Sequence, residues 1–207
     1  MNSLASVTLE VADLTAARSF YSAFGLGTQV GLRASDAPTT GFRGFALALT
    51  VSQPADVRAF VDAALDAGAT ALKPATKSFW GYGGVVRAPD GTIWKIATSA
   101  RKDSGPATRR IDAIVLLLGA ADVAESKQFY IDRGLSVAKS FGRKYVEFAA
   151  TTCPVKLALY GHRALAKDLA VPADGTGSHR LVIGGGGESC ADPDGFAWES
   201  SALASHR

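Results

Sequence analysis

Two side chains stand at the same place in two copies of one short pattern. Ala88-Pro89-Asp90-Gly91 precedes Ile93-Trp94-Lys95-Ile96, and Asp192-Pro193-Asp194-Gly195 precedes Phe196-Ala197-Trp198-Glu199. Pro presets φ early in a turn and Gly permits φ > 0 at its end, so both stretches read as hairpin turns entering an alternating strand. Lys95 and Glu199 each follow the turn glycine by four positions. A lysine on an apolar strand can hold an anionic or carbonyl-bearing ligand; the plainer reading is an edge lysine reaching solvent. A strand glutamate needs a partner or water, because an unpaired buried carboxylate is costly. His179 is the candidate partner, and a Glu–His pair is either an acid–base couple or a structural contact.

Other residue types offer less. Cys153 and Cys190 lack C-x-x-C spacing and an adjacent His, so they read as free thiols. Gly184–Gly187 lacks the phosphate-loop spacing and a following helix, and reads as a flexible bridge. Phe79, Trp80 and Tyr82 lie in a glycine-rich stretch before a strand, which suits either a pocket lip or plain packing.

The elements that must position these groups follow from periodicity. Residues 6–11 alternate, with Val7, Leu9 and Val11 on one side. Asp13 or Thr15 can cap a helix carrying Ala16, Ala17, Phe20, Tyr21 and Phe24, which Gly25 ends. A strand near 28–33 and a polar turn over 34–41 follow. Residues 45–51 form a strand, and residues 54–67 a helix with Val57, Phe60, Val61, Ala64 and Leu65 on one face. A short strand near 70–73 leads into the first hairpin. Residues 99–109 are polar and contain Gly and Pro, which marks a linker between halves 1–98 and 110–205. The second half restarts the pattern. Strand 114–118 precedes Asp122, Phe129-Tyr130 and Gly134-Leu135, which repeat Asp13, Phe20-Tyr21 and Gly25-Leu26 at a spacing of 109. Strands 145–149 and 155–160, a helical stretch 162–169 and a strand 180–183 complete it.

The chain has 207 residues, 47% apolar and 20% charged, with a net charge of +3. That composition describes a globule with a real core. The densest basic cluster, Arg101-Lys102 with Arg109-Arg110, lies in the polar linker and reads as solvated rather than as a nucleic-acid surface. No apolar run reaches 18 residues, so neither a membrane span nor a signal segment is expected, and the expected compartment is the cytoplasm.

Strand, Asp, helix ending in Phe-Tyr, Gly-Leu and a later D-P-D-G before a closing strand resembles the vicinal oxygen chelate superfamily. That group includes glyoxalase I, extradiol dioxygenases and bleomycin-resistance proteins. The resemblance implies an α+β fold of tandem βαβββ modules whose mixed sheets curl into cups, with helices packed outside. The segment between Arg33 and Gly41 is too short for a full first module, and that between Ile183 and Glu188 too short for a full last one. The implied pairing joins residues 43–98 to 110–160 in an intact cup and 1–33 to 178–201 in a truncated one, so that the halves pack as one pseudo-twofold unit.

The resemblance also locates a metal site, with ligands early in a module's first strand and at the end of its last. Those positions hold Ser6, about Ala46, Lys95, Val115 and Glu199; only Glu199 is a ligand type. His162, His179 and His206 fall elsewhere. The expectation is therefore no metal and no cofactor. Phe45, Leu47, Phe79, Trp80, Tyr82, Lys95, Val115, Leu117, Tyr145 and Tyr160 are the candidate walls of the intact cup, and Trp94 and Trp198 pack against helices. Glu199, Ser6, Thr8 and Glu10 are expected to line the truncated cup. The first functional reading is metal-independent binding of an aromatic or planar small molecule, as bleomycin-resistance proteins bind theirs. The alternative is a metal-free lyase, isomerase or hydrolase using Lys95, or Glu199 with His179. The only expected partner is that ligand, and the chain is a monomer or homodimer.

Overall fold

The computed structural model describes residues 4–149 and 153–200. His206 lies outside them. The chain runs β1 (Leu4–Val11), α1 (Leu14–Phe24), β2 (Gly31–Ala34), β3 (Thr39–Gly41), β4 (Phe45–Val51), α2 (Pro54–Asp66), β5 (Thr70–Ser78), β6 (Gly81–Arg87) and β7 (Ile93–Thr98). After the polar stretch come β8 (Ile111–Ala120), α3 (Val123–Asp132), β9 (Val137–Ser140), β10 (Tyr145–Phe148) and β11 (Val155–Gly161). The last elements are α4 (His162–Asp168), β12 (Gly175–Gly177), β13 (Leu181–Gly185), β14 (Cys190–Ala191) and β15 (Ala197–Ser200). The result is α+β.

Local chemistry sets the helix ends. Asp13 accepts hydrogen bonds from the Thr15 and Ala16 amides, and Asp122 does the same for Ala124 and Glu125. Both aspartates hold φ −124°, and Gly25, at φ 88°, closes α1 in the left-handed region. The polar turn expected over 34–41 contains β3, which pairs with β12.

The strands form two main sheets. The larger has eight, in the order β5-β6-β7-β4-β8-β11-β10-β9, and the smaller five, β14-β15-β13-β1-β2. β4 lies parallel to β7, and β8 parallel to β11; β4 and β8 join antiparallel at the centre. The larger sheet is thus built from the middle of the chain and the smaller one from strands near its two ends.

Period-2 alternation gives the large sheet two faces. One packs against α1, α2 and α3 through Phe45, Leu47, Leu49, Trp94, Ile96, Leu116 and Leu118. Trp94 meets Phe24 edge-on at 5.5 Å and Tyr21 at 6.0 Å. Trp198 plays the same part against Tyr130, at 5.6 Å, and donates its indole N–H to the Tyr130 hydroxyl. The other face carries Ala46, Val85, Ile93, Leu117 and Ala158, covered by Leu165, Ala166 and Leu169 of α4 and the residue after it.

The polar stretch 99–110 is exposed but fastened. Gln53 accepts from the Ser104 and Gly105 amides and donates to the Pro106 carbonyl. Asp56, fully buried, accepts from the Thr108 and Arg109 amides at 2.6 and 2.8 Å and from the Thr108 hydroxyl. Arg109 then donates to the Phe24 carbonyl at the end of α1. No helix among the described residues is long and apolar enough to cross a membrane.

Candidate functional site

The site begins with β7, where alternation sends Trp94 and Ile96 to the helices and leaves Ile93 and Lys95 on the inner face. The Lys95 Nζ lies 2.5 Å from Oδ2 of Asp168, the last residue of α4, and both side chains are about a third exposed. Lys73, on β5, donates to the Asp168 main-chain carbonyl. Two ammonium groups thus converge on the end of one short helix. Cations at a helix C-terminus also meet the negative end of its dipole.

Beside this cluster opens a cavity of about 370 Å³. Lys73, Lys95 and Asp168 supply its charge, Thr76 and Thr98 its hydroxyls, and Trp80 and Tyr82 its aromatic surface. With two cations and one carboxylate, its formal balance is one positive charge. Phe79 and Trp80 form the tip of the β5–β6 hairpin and are 78% and 83% exposed. Gly81 makes that tip possible, because at φ +135° any Cβ would run into the Thr98 carbonyl.

The chain's three tryptophans report on this place selectively. Trp94 and Trp198 are 0% and 2% exposed, against 83% for Trp80. Acrylamide is expected to quench essentially the Trp80 fluorescence alone, and Trp80→Phe to abolish the accessible fraction. Substantial quenching left in that variant would mean that the buried indoles are reachable.

The other sequence candidates are placed as follows. Tyr82 lines the cavity, with its hydroxyl on the Ala75 carbonyl at 2.8 Å. Val115 and Leu117 lie on the same inner face, under α4. Tyr145 on β10 and Tyr160 on β11 meet edge to face at 5.9 Å and do not line the cavity. Burial and the Glu147 carboxylate, which accepts the Tyr145 hydroxyl at 3.0 Å, push the Tyr145 phenol well above its ordinary value. Phe79 packs edge-on to Trp80 at 5.0 Å but lies outside the cavity wall. Phe45 and Leu47 need correction. They point into the helix-facing core, and their neighbours Ala46 and Ala48 face inward instead.

Glu199 and His179 also need correction, because they do not meet. Glu199 takes a forked pair of hydrogen bonds from Arg33 Nη1 at 2.8 and 3.0 Å, and Arg33 Nη2 holds Glu10 at 2.6 Å. Burial works against the Arg33 charge, but the two carboxylates outweigh it and raise its pKa above the ordinary guanidinium value. Arg33 thus gives Nη1 to both Glu199 oxygens and its Nε and Nη2 to Glu10, so one guanidinium serves two carboxylates. His179 instead bonds the Arg43 carbonyl through Nδ1 at 2.6 Å and stacks on Phe196 at 4.1 Å. His162 bonds the Ala173 carbonyl through Nε2.

Sequence reasoning missed Arg33, Lys73 and Asp168. Arg33 comes opposite Glu10 only through the parallel pairing of β1 with β2, which the sequence does not announce. For Asp168 no local pattern tells which strand lysine it will meet.

No family model matches the sequence, and no curated protein matches it. Solved structures do. A point variant of glyoxalase I from Zea mays superposes with a TM-score of 0.62 at 13% identity, over 99% of this chain and 96% of that one. Another structure of Zea mays glyoxalase I gives 0.58 at 15% identity, over 95% and 90%. A candidate dioxygenase from Bacillus subtilis gives 0.58 at 9% identity, over 99% and 90%. The chain has the vicinal oxygen chelate fold.

In a vicinal oxygen chelate cup the inner-face row is where a divalent ion would be sought. Here adjacent strands place Lys95, Ala48, Val115 and Lys156 side by side in that row. Two ammonium groups, a methyl and an isopropyl group are not a donor set for a divalent cation. In the smaller sheet Glu199 is taken by Arg33. Among the described residues no group of three His, Cys, Asp or Glu side chains could hold a metal. The residues present do not fit the ion.

Proposed function

We propose that the protein binds a small planar monoanion, with an aromatic or conjugated body, in the cavity between β5–β7 and the end of α4, and that it does so without a metal. One observation carries the reading. Lys95 pairs with the Asp168 carboxylate and Lys73 with the Asp168 main-chain carbonyl, beside an exposed indole in a cavity of about 370 Å³. Each ammonium has three donors and gives one to Asp168, so donors remain for a ligand anion. Trp80 and Tyr82 offer flat surface for the ligand body, worth about 0.5–1.5 kcal/mol for a ring pair beyond the area buried. The volume suits a single fused or substituted ring. Sequestration of this kind is what the resemblance to bleomycin-resistance proteins implies. An acid–base role for Glu199 with His179 has no support, since each is engaged elsewhere.

Calorimetric titration with aromatic carboxylates and their neutral amide isosteres tests the proposal. The carboxylates are expected to bind and the amides to bind at least about tenfold more weakly, a difference of about 1.4 kcal/mol. Lys95→Ala should weaken the carboxylates comparably. The Lys95–Asp168 pair is partly exposed, so its loss should change folding stability by no more than about 1 kcal/mol. Equal binding of acid and amide, or unchanged affinity in Lys95→Ala with a large loss of Tm, would refute the reading.

A further inference from the structure

A second cavity, of about 230 Å³, lies between the first turns of α1 and the Pro89–Gly91 turn. It shares no residue with the cavity at Lys95. Ala12, Ala16, Ala17, Phe20 and Pro89 line its apolar part. Arg43 and Arg180 supply its cationic part, with Asp13 and Asp90 beside them.

The two arginines are under-partnered. Arg43 Nη2 donates to the Asp90 carbonyl at 2.6 Å, but Arg43 Nη1 is buried with no hydrogen-bond partner among the described residues. Arg180 donates through Nη1 to the Ser35 carbonyl, while its buried Nε has no partner either. Neither guanidinium is hydrogen-bonded to a carboxylate among the described residues. The two aspartates are already committed. Asp13 caps α1, and Asp90 accepts the Thr92 amide and the Tyr21 hydroxyl, both at 2.8 Å. Burial lowers the Arg43 pKa, and the charges of Arg180 and Arg87 lower it further against the opposing pull of Asp90. Buried donors without partners are costly, and like charges held together are costly again. An anion between the guanidinium groups relieves both.

The backbone adds an independent observation. Arg180 sits at φ +54°, a left-handed conformation that a long side chain seldom adopts without cost. Its carbonyl accepts the Glu10 amide, as the Gly44 carbonyl accepts the Gly119 amide. Gly44 has φ +80°. At two positions with the same main-chain task, one holds the residue suited to the conformation and the other holds an arginine aimed at a cavity.

We propose that this cavity is a binding site for a short aliphatic carboxylate, its head held by Arg43 and Arg180 and its tail against Ala16, Ala17 and Phe20. A carboxylate matches the planar guanidinium fork. The apolar part of the lining requires a tail that inorganic phosphate lacks. Asp13 and Asp90 tolerate a monoanion better than a dianion.

The test titrates the full chain with butyrate at constant ionic strength, with butyramide and inorganic phosphate as comparisons. Butyrate is expected to bind and to raise Tm, and butyramide to do neither. Arg180→Gly removes the guanidinium while supplying the residue that accepts φ > 0, so the variant should keep its Tm and lose at least about tenfold in butyrate affinity. Lys95→Ala should leave butyrate binding unchanged. Transferred NMR contacts from butyrate to the Ala16 and Ala17 methyls of the unaltered protein check the site without any substitution. The proposal is overturned by equal binding of butyramide, by tighter binding of phosphate, by unchanged affinity in Arg180→Gly, or by missing methyl contacts. Loss of butyrate binding in Lys95→Ala would also overturn it, by placing the anion in the first cavity.

Discussion

Leu165→Ala is expected to destabilise the protein by about 3 kcal/mol while leaving the eight-stranded sheet intact. Leu165 is fully buried, and with Ala166 and Leu169 it seals the inner face over Ala46, Val85, Ile93, Leu117 and Ala158. Truncation removes three heavy atoms from a packed contact and leaves a void that α4 is too short to close by sliding. For a chain of this size the loss corresponds to roughly 6–12 °C in Tm. A second effect follows on ligand range. α4 holds Asp168 at the edge of the first cavity, so a void beneath the helix should admit planar anions larger than the unaltered protein accepts. Thermal melts and titration with one-, two- and three-ring carboxylates measure the two effects together. A Tm loss below about 1 °C would mean that α4 does not hold this face closed. Leu165→Met, which conserves volume, should cost under about 1.5 kcal/mol.

Asp56→Ala should have the second large effect, about 2–3 kcal/mol, and should make residues 99–110 accessible to protease. The Asp56 carboxylate accepts three hydrogen bonds from Thr108 and Arg109, each worth about 1 kcal/mol net, and burial excludes water as a substitute. Burial raises the carboxyl pKa, but those bonds outweigh it and hold the group below its ordinary value. A carboxyl lowered in the folded state contributes stability that is fully present above its unfolded pKa of about 3.9. That contribution is lost as pH falls through the folded value. Asp56→Asn keeps an acceptor oxygen but not the titration, so it should flatten the acid limb of the stability profile below about pH 4. An unchanged acid limb in Asp56→Asn would assign that limb to other carboxylates.

The linker shows how far local reading reached. Ser, Gly, Pro and charge over 99–109 identified a polar connection, and its residues are exposed. Its attachment to Gln53 and Asp56 was not legible, because those residues look like ordinary members of a helix start. The same division runs through the site. Alternation put Trp94 and Lys95 on opposite faces, and the resemblance turned Lys95 toward the cup and Trp94 and Trp198 toward the helices. Phe45 and Leu47 were expected on the cup side where Ala46 and Ala48 stand, because either pair satisfies a period of two and Ala46 is as buried as its neighbours.

The resemblance carried by the repeated motifs implied the fold class; by itself the sequence determined the two hairpin turns, a cap at Asp13 or Thr15, and the periods of the main helices and strands. These follow from short-range chemistry: φ allowed by Gly and Pro, one carboxylate reaching two nearby amides, and the period of apolar residues. Only the tertiary structure decided which charges meet. Lys95 finds Asp168 across 73 residues and Arg33 finds Glu199 across 166. Arg43 and Arg180 come to share one cavity. Ion pairs have no period and no register of their own, so their partners are chosen by the packing of apolar faces that brings distant strands together. The hairpin around Lys95 announced a lysine on an inner face; the helix end that meets it, and the cavity beside it, came from the packing of α4.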